Sequence, residues 1–162
     1  MKEDYNYRGI KLSSEKEFVP IDRSFFTEEG LPRWSENIQN ADAYGFDTRN
    51  IEKNGYYIIK TVLPAGKKVV RYGKDSGSFT TEVDSVYSQL SLPYTQESMP
   101  YHEYVVKEDC EVICFVDKGK VAPGFGLAGG AIQYRHYHKI HDSVMLGILE
   151  EDVEWLQKLR IL

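Results

Sequence analysis

No run of 18 apolar residues occurs anywhere in the 162-residue chain, so nothing in it reads as a membrane-spanning helix. Cysteine is scarce: Cys110 and Cys114 are the two present. Four apart on one expected strand, they share a face and cannot close an ordinary disulfide there, so both read as small core residues. The opening "MKEDYNYRGIK" carries charge where a secretory signal needs an apolar stretch. Basic residues are outnumbered, 20 Lys and Arg against 25 Asp and Glu, for a net charge of −5. Without a basic patch, a nucleic-acid backbone is not expected as the main partner. Internal repeats and low-complexity tracts are missing, and so is the long helix–strand alternation of a doubly wound parallel sheet.

What remains is an ordinary globular composition, 41% apolar and 28% charged, of a length that favours one domain. Tyrosine is abundant, with 12 residues, and suits half-buried strands. From Tyr56 onward, short β-like runs alternate with Gly, Pro and Asp. Strands are expected at Tyr56–Leu63, Lys67–Tyr72, Ser78–Thr81, Tyr101–Val106, Glu111–Val116 and Ala131–Ile140. "LPAG" reads as a turn joining the first two, and "VKEDCE" as one between the fourth and fifth. Ser13 or Ser14 followed by Glu caps a short helix in "SSEKEF". In the tail, Val144, Leu146, Ile148, Leu149, Val153, Leu156 and Leu159 fall near helical spacing. Asp142 or Ser143 is the expected cap, and Gly147 a break between two pieces. The expected class is α+β: a mainly antiparallel β core, short N-terminal helices and a C-terminal helix. Residues 56–150 read as the motif-bearing core, 1–55 as an N-terminal segment with no assigned role, and 151–162 as the terminal helix.

"APGFGLAGGAIQY" contains Gly124, Gly126 and Gly129 in the spacing G-x-G-x-x-G. A dinucleotide fingerprint of that spacing needs a strand directly before the first glycine and a helix opening at the last. Here Pro123 precedes Gly124, and "AIQYRHYHKI" alternates like a strand. The Rossmann reading fails. Two readings stay open: a plain connection between strands, or a loop walling a ligand just before Gln133. That side-chain amide has donors and an acceptor suited to a sugar hydroxyl or a water. His136 and His138 alternate on the same expected strand, with His141 in the following turn. Zinc wants three or four ligands in close array and neither cysteine is near in sequence, so a solvated strand edge is expected and no metal.

The order of motifs carries more than any one of them. "LPAGKKVVRYG", "DSGSFTT", "SVYSQLSLPY", "YHEYVV" and "KVAPGFGLAGGAIQY" follow one another over roughly residues 60–150. This series resembles the TNT family, named for the tuberculosis necrotizing toxin, whose members hydrolyse NAD and NADP. The resemblance implies a compact β-rich NAD(P)+ glycohydrolase without a metal or further cofactor, NAD+ or NADP+ being the substrate. It also implies a toxin module delivered into target cells, acting in a cytosol and neutralised by a cognate immunity protein, with no nucleic-acid or membrane partner. By motif, the resemblance makes Arg71 the phosphate-side arginine, His102 the family's histidine and Gln133 the catalytic glutamine. Phe79 becomes the aromatic of the nicotinamide pocket, and Tyr72, Gly73, Gly77, Ser78, Gly129, Gly130 and Tyr134 its companions in substrate binding. One position departs: Leu90 stands where the family has an arginine. Arg135 or an N-terminal arginine is the candidate substitute.

Taken singly, each residue has an ordinary use. A strand arginine is usually a surface ion-pair partner, Phe79 core, His102 a half-buried or exposed strand residue, and Gln133 a solvent-facing one. The chemistry is nevertheless coherent. Nicotinamide leaves NAD as a neutral molecule, so the paired carboxylates of ordinary glycosidases are not required. An ADP-ribosyltransferase, and a degenerate relative that only binds a nucleotide or a protein, are the alternatives.

Overall fold

The computed structural model describes residues 18–38, 43–49, 51–107 and 113–153. One seven-stranded sheet organises them, formed by β1 (Ile58–Val62), β2 (Lys68–Tyr72), β3 (Phe79–Thr81), β4 (Tyr101–Val106), β5 (Phe115–Lys120), β6 (Ile132–His136) and β7 (Leu149–Asp152). The order is β1-β5-β6-β3-β2-β4-β7, and every neighbouring pair is antiparallel. The helices are short: α1 (Trp34–Asn37), α2 (Ile51–Asn54) and α3 (Ile140–Met145). The α+β expectation therefore holds. Among the described residues, no helix is long and apolar enough to cross a membrane.

Register explains the burial pattern. On one face Val69, Tyr104, Val106, Val116, Tyr134 and Leu149 form the main core, closed by Ile140 and Ile148. On the other, Leu90, Val121 and Ala131 form a smaller cluster with Tyr72, Tyr87 and Leu92 against it. Val69 and Val70 are adjacent in sequence and both fully buried, because β2 is covered on both sides. Alternation is lost where a strand has no wet face.

Four expectations need correction. The fifth strand runs over Phe115–Lys120 instead of Glu111–Val116, and "VKEDCE" with Cys110 falls mostly outside the described residues. Cys114 is buried, as expected. The sixth strand stops at His136, and Ile140 opens α3 instead of ending the strand. Long-range bonds decide this: Ile140 N–H donates to Gly77 O (2.9 Å) and His141 N–H to Asp75 O (2.8 Å). Lys139, not Asp142 or Ser143, occupies the N-cap position. Gly147 does break the tail, at φ 76°, but the piece after it is strand β7, not helix. Leu149 lies opposite Val106, and Lys107 N–H donates to Ile148 O (3.0 Å). A run as short as "ILEED" fits both periods, and pairing with β4 settles which one forms. The "SSEKEF" helix, apart from Phe18, and the tail beyond Val153 lie outside the described residues.

Candidate functional site

A cleft of about 540 Å³ opens on the face of the sheet that carries Gln133, within the roughly 300–1,000 Å³ usual for small-molecule sites. Its far wall comes from the N-terminal segment, to which the sequence assigned no role. Phe18, Trp34, Ile38 and Tyr44 line that wall. Backbone bonds pin the segment down: Ala122 N–H to Gly45 O (2.7 Å), Asp47 N–H to Lys120 O (2.8 Å) and Thr95 N–H to Val19 O (2.7 Å).

The glycine-rich loop proves to be the dock for this wall. Gly124 bridges Ile38, and a Cβ there would stand 2.7 Å from Ile38 Cγ1. Phe125, at φ 52°, is buried and takes the edges of Trp34 (centroids 5.2 Å) and Phe25 (5.6 Å). Gly129 is needed for a tight approach, since a Cβ would stand 2.5 Å from Val121 O, and its φ is 69°. Neither Gly129 nor Gly130 lines the cleft, so the loop serves the ligand wall by seating Trp34 and Ile38 and not by direct contact.

Arg71 sits near the end of β2. Register puts it on the face opposite Gln133: Arg71 pairs with His102, whereas Val70 pairs with Thr81 and Thr81 with Gln133. Its side chain nevertheless turns beneath the 73–79 loop, donating from Nε to Lys74 O (2.6 Å) and from Nη1 to Phe79 O (2.9 Å). Both Arg71 and Gln133 then line the one cleft. Burial works against the charge of Arg71, with Tyr104 and Asp75 opposing that effect; a guanidinium stays protonated regardless. Among the described residues it has no carboxylate ion pair.

Gly77 makes room for this arrangement: a Cβ there would overlap Arg71 Nη2 and lie 2.6 Å from its Cζ. The obstacle is the far end of a flexible side chain, not backbone. Gly77→Ala is expected to displace the guanidinium and weaken anionic-ligand binding about tenfold, while changing stability by no more than about 1 kcal/mol. Calorimetric titration alongside thermal melting checks both halves.

Gln133 is 8% exposed, and its Nε2 has no hydrogen-bond partner among the described residues. A buried amide donor left unpaired costs about 1–3 kcal/mol, a cost that folds seldom retain without use. Tyr72, Gly73 and Phe79 also line the cleft, as does Leu90 at 7% exposure, an apolar side chain where the resemblance expects arginine. Among the described residues, Arg71 and Lys74 are the charged ones that line the cavity, both cationic, and no Asp or Glu does. With Phe18, Trp34, Tyr44, Tyr72, Phe79 and Tyr94 on its walls, it suits an anionic ligand with planar rings.

Other sequence candidates lie elsewhere. His102, though opposite Arg71, stays outside the cleft, its Nδ1 2.5 Å from Glu151 Oε1 across β4 and β7. Tyr134 faces the main core, its hydroxyl donating to Glu82; burial first, and Glu82 second, hold that hydroxyl protonated. Ser78 contributes its backbone carbonyl to His136 N–H (2.7 Å) and does not line the cavity. Arg135 is no substitute at position 90: its guanidinium stacks on Tyr44 at 3.8 Å and faces Asp117 at 4.0 Å. His136 is not on a solvated edge. It is 4% exposed, with Nε2 2.7 Å from Thr80 Oγ1, while His138 and His141 are exposed beyond the strand. Among the described residues no His, Cys, Asp and Glu gather as a metal site.

Comparison with known proteins now has a geometry to meet. A family model described as "Tuberculosis necrotizing toxin" matches residues 62–151, more than half of the chain. A solved structure of tuberculosis necrotizing toxin complexed with its immunity factor is 22% identical, covering 93% of this chain and 96% of that one, with a TM-score of 0.51. That likeness is one of fold. No curated protein matches.

Proposed function

Because the chain belongs to the tuberculosis necrotizing toxin family, we propose that it is an NAD(P)+ glycohydrolase, cutting the bond between nicotinamide and ribose. The observation that carries this reading is the convergence of Arg71 and the Gln133 amide, unpaired among the described residues, on one aromatic cleft. Water adds to the anomeric carbon, the C–N bond breaks with its electrons going to the pyridine nitrogen, and the water's second proton passes to solvent. The leaving group is neutral, so no buried acid is required, and among the described residues none lines the cleft. What the site must supply is orientation and a dry, aromatic enclosure. Gln133 orients the ribose hydroxyls or the incoming water, Phe79 stacks against the pyridine, and Arg71 holds phosphate. NAD+ or NADP+ is substrate, and no further cofactor takes part.

A toxin that drains NAD acts in a cytosol, and we extend the proposal to delivery as a secreted module held in check by an immunity protein. Adenine-labelled NAD separates the enzyme classes: the label is expected in free ADP-ribose. Label on protein would replace the reading with ADP-ribosyl transfer. Leu90 in the cleft favours one second reading, a relative that binds the dinucleotide without turnover. Calorimetric binding with no product would establish it.

A further inference from the structure

Lys74 lines the cleft beside Arg71, and its backbone carbonyl accepts the Arg71 Nε bond (2.6 Å). The side chain is exposed, and among the described residues it has no carboxylate ion pair. Asp75, the acid next to it in the chain, faces His141 at 3.2 Å and does not line the cavity. Arg71, near the end of β2, and Lys74, on the turn that follows, both line the cleft, and among the described residues no Asp or Glu does, so an anion there meets two cations. The turn is also shaped for close approach. Gly73 adopts φ 126° and lines the cavity, and the hydroxyl-bearing Ser76 closes the turn on the same side. One fixed guanidinium and one mobile ammonium match a ligand with two adjacent phosphates better than a single phosphate.

We infer that Lys74 is a second phosphate-binding residue, which with Arg71 makes this end of the cleft a diphosphate site. The ligand's identity as a dinucleotide rests on the glycohydrolase reading above, whereas its diphosphate character rests on the turn. Arg71, pinned by two carbonyls, fixes the position of the anion. Lys74, free to swing over the mouth, closes on the outer oxygens, so its charge matters more than its geometry.

The test uses inorganic pyrophosphate in metal-free buffer, titrated calorimetrically into the full chain and into Lys74→Gln, Lys74→Arg and Lys53→Gln. Lys53 lies on α2, outside the cleft. Lys74→Gln is expected to bind about tenfold more weakly, and Lys74→Arg within about twofold of the parent chain. Lys53→Gln should bind as the parent does. Parent chain without pyrophosphate affinity, Lys74→Gln binding as tightly as the parent, or Lys53→Gln losing as much, would each overturn the proposal. The same variants assayed on NAD should show a raised KM at unchanged kcat for Lys74→Gln; a lowered kcat with unchanged KM would count against a binding role. Should the parent chain leave NAD intact yet bind pyrophosphate through Lys74, the glycohydrolase reading fails and the diphosphate site stands.

Discussion

Gln133→Ala is expected to lower kcat for nicotinamide release by about 100-fold or more, comparable to removing one preorganised donor from an active site, and to leave the melting temperature unchanged or slightly raised. The two halves come from one observation. The Nε2 of Gln133 is buried without a partner among the described residues, so the folded protein carries a desolvation cost that alanine removes. A residue kept for packing behaves the other way, losing stability when truncated. Because the side chain faces the cleft, truncation opens space that water can occupy, and the cavity penalty of a sealed core does not apply. Strand β6 is held by its ladder to Thr81 and Gly119, which the substitution does not touch. A large fall in stability would make Gln133 a structural residue and remove the strongest support for a reaction at this site.

The second large effect is on stability in acid. His136 is enclosed, and its imidazole is pushed down to about 4, by burial first and by the nearby Arg71 charge second. Its Nε2 shares a hydrogen bond with Thr80 Oγ1 (2.7 Å). An unfolded chain binds the proton near pH 6.5, the folded chain only near 4, so the unfolded state gains as pH falls between those values. Stability from this residue is complete above about pH 6.5 and declines on the way to about pH 4, by a total of about 3 kcal/mol. Denaturant melts from pH 7 to 4, on the parent and on His136→Gln, check the sign. The parent should lose stability across that window, and the difference between the two curves should shrink with it. A pH-independent difference would mean that His136 is exposed or charged in the fold. The consequence reaches the cleft, because His136 shares β6 with Gln133 and its N–H holds the loop that leads to Phe79.

Local pattern carried the strands and missed what depends on distant partners. "YHEYVV" is bounded by a proline turn and a charged turn, and β4 forms over Tyr101–Val106 as read. Strand β7 was hidden because Leu149 sits in a run compatible with both periods, and only β4 across the gap selects strand. Motif order located Arg71, Tyr72, Gly73, Phe79 and Gln133 at one cleft. The same motifs carry residues that serve the frame: Gly129 permits a backbone crossing, and Tyr134 anchors the core. A motif marks positions the fold cannot easily change, and both kinds of demand leave that mark. The aromatic wall of Phe18, Trp34 and Tyr44 had no readable signal, because its docking uses backbone bonds such as Ala122 N–H to Gly45 O. Trp34, 44% exposed, would look like an ordinary surface aromatic in the sequence; its place at the cleft emerges only with Phe125 behind it.

The proposed glycohydrolase requires one cleft to hold a pyridine dinucleotide by its phosphates at Arg71 and to work on its ribose at Gln133. Steady-state nicotinamide release from NAD, followed chromatographically for the parent chain, Arg71→Ala and Gln133→Ala, tests it most directly. Turnover by the parent is expected, with a loss dominated by KM for Arg71→Ala and one dominated by kcat for Gln133→Ala. A parent chain that releases no nicotinamide, or two variants indistinguishable from it, would overturn the glycohydrolase proposal.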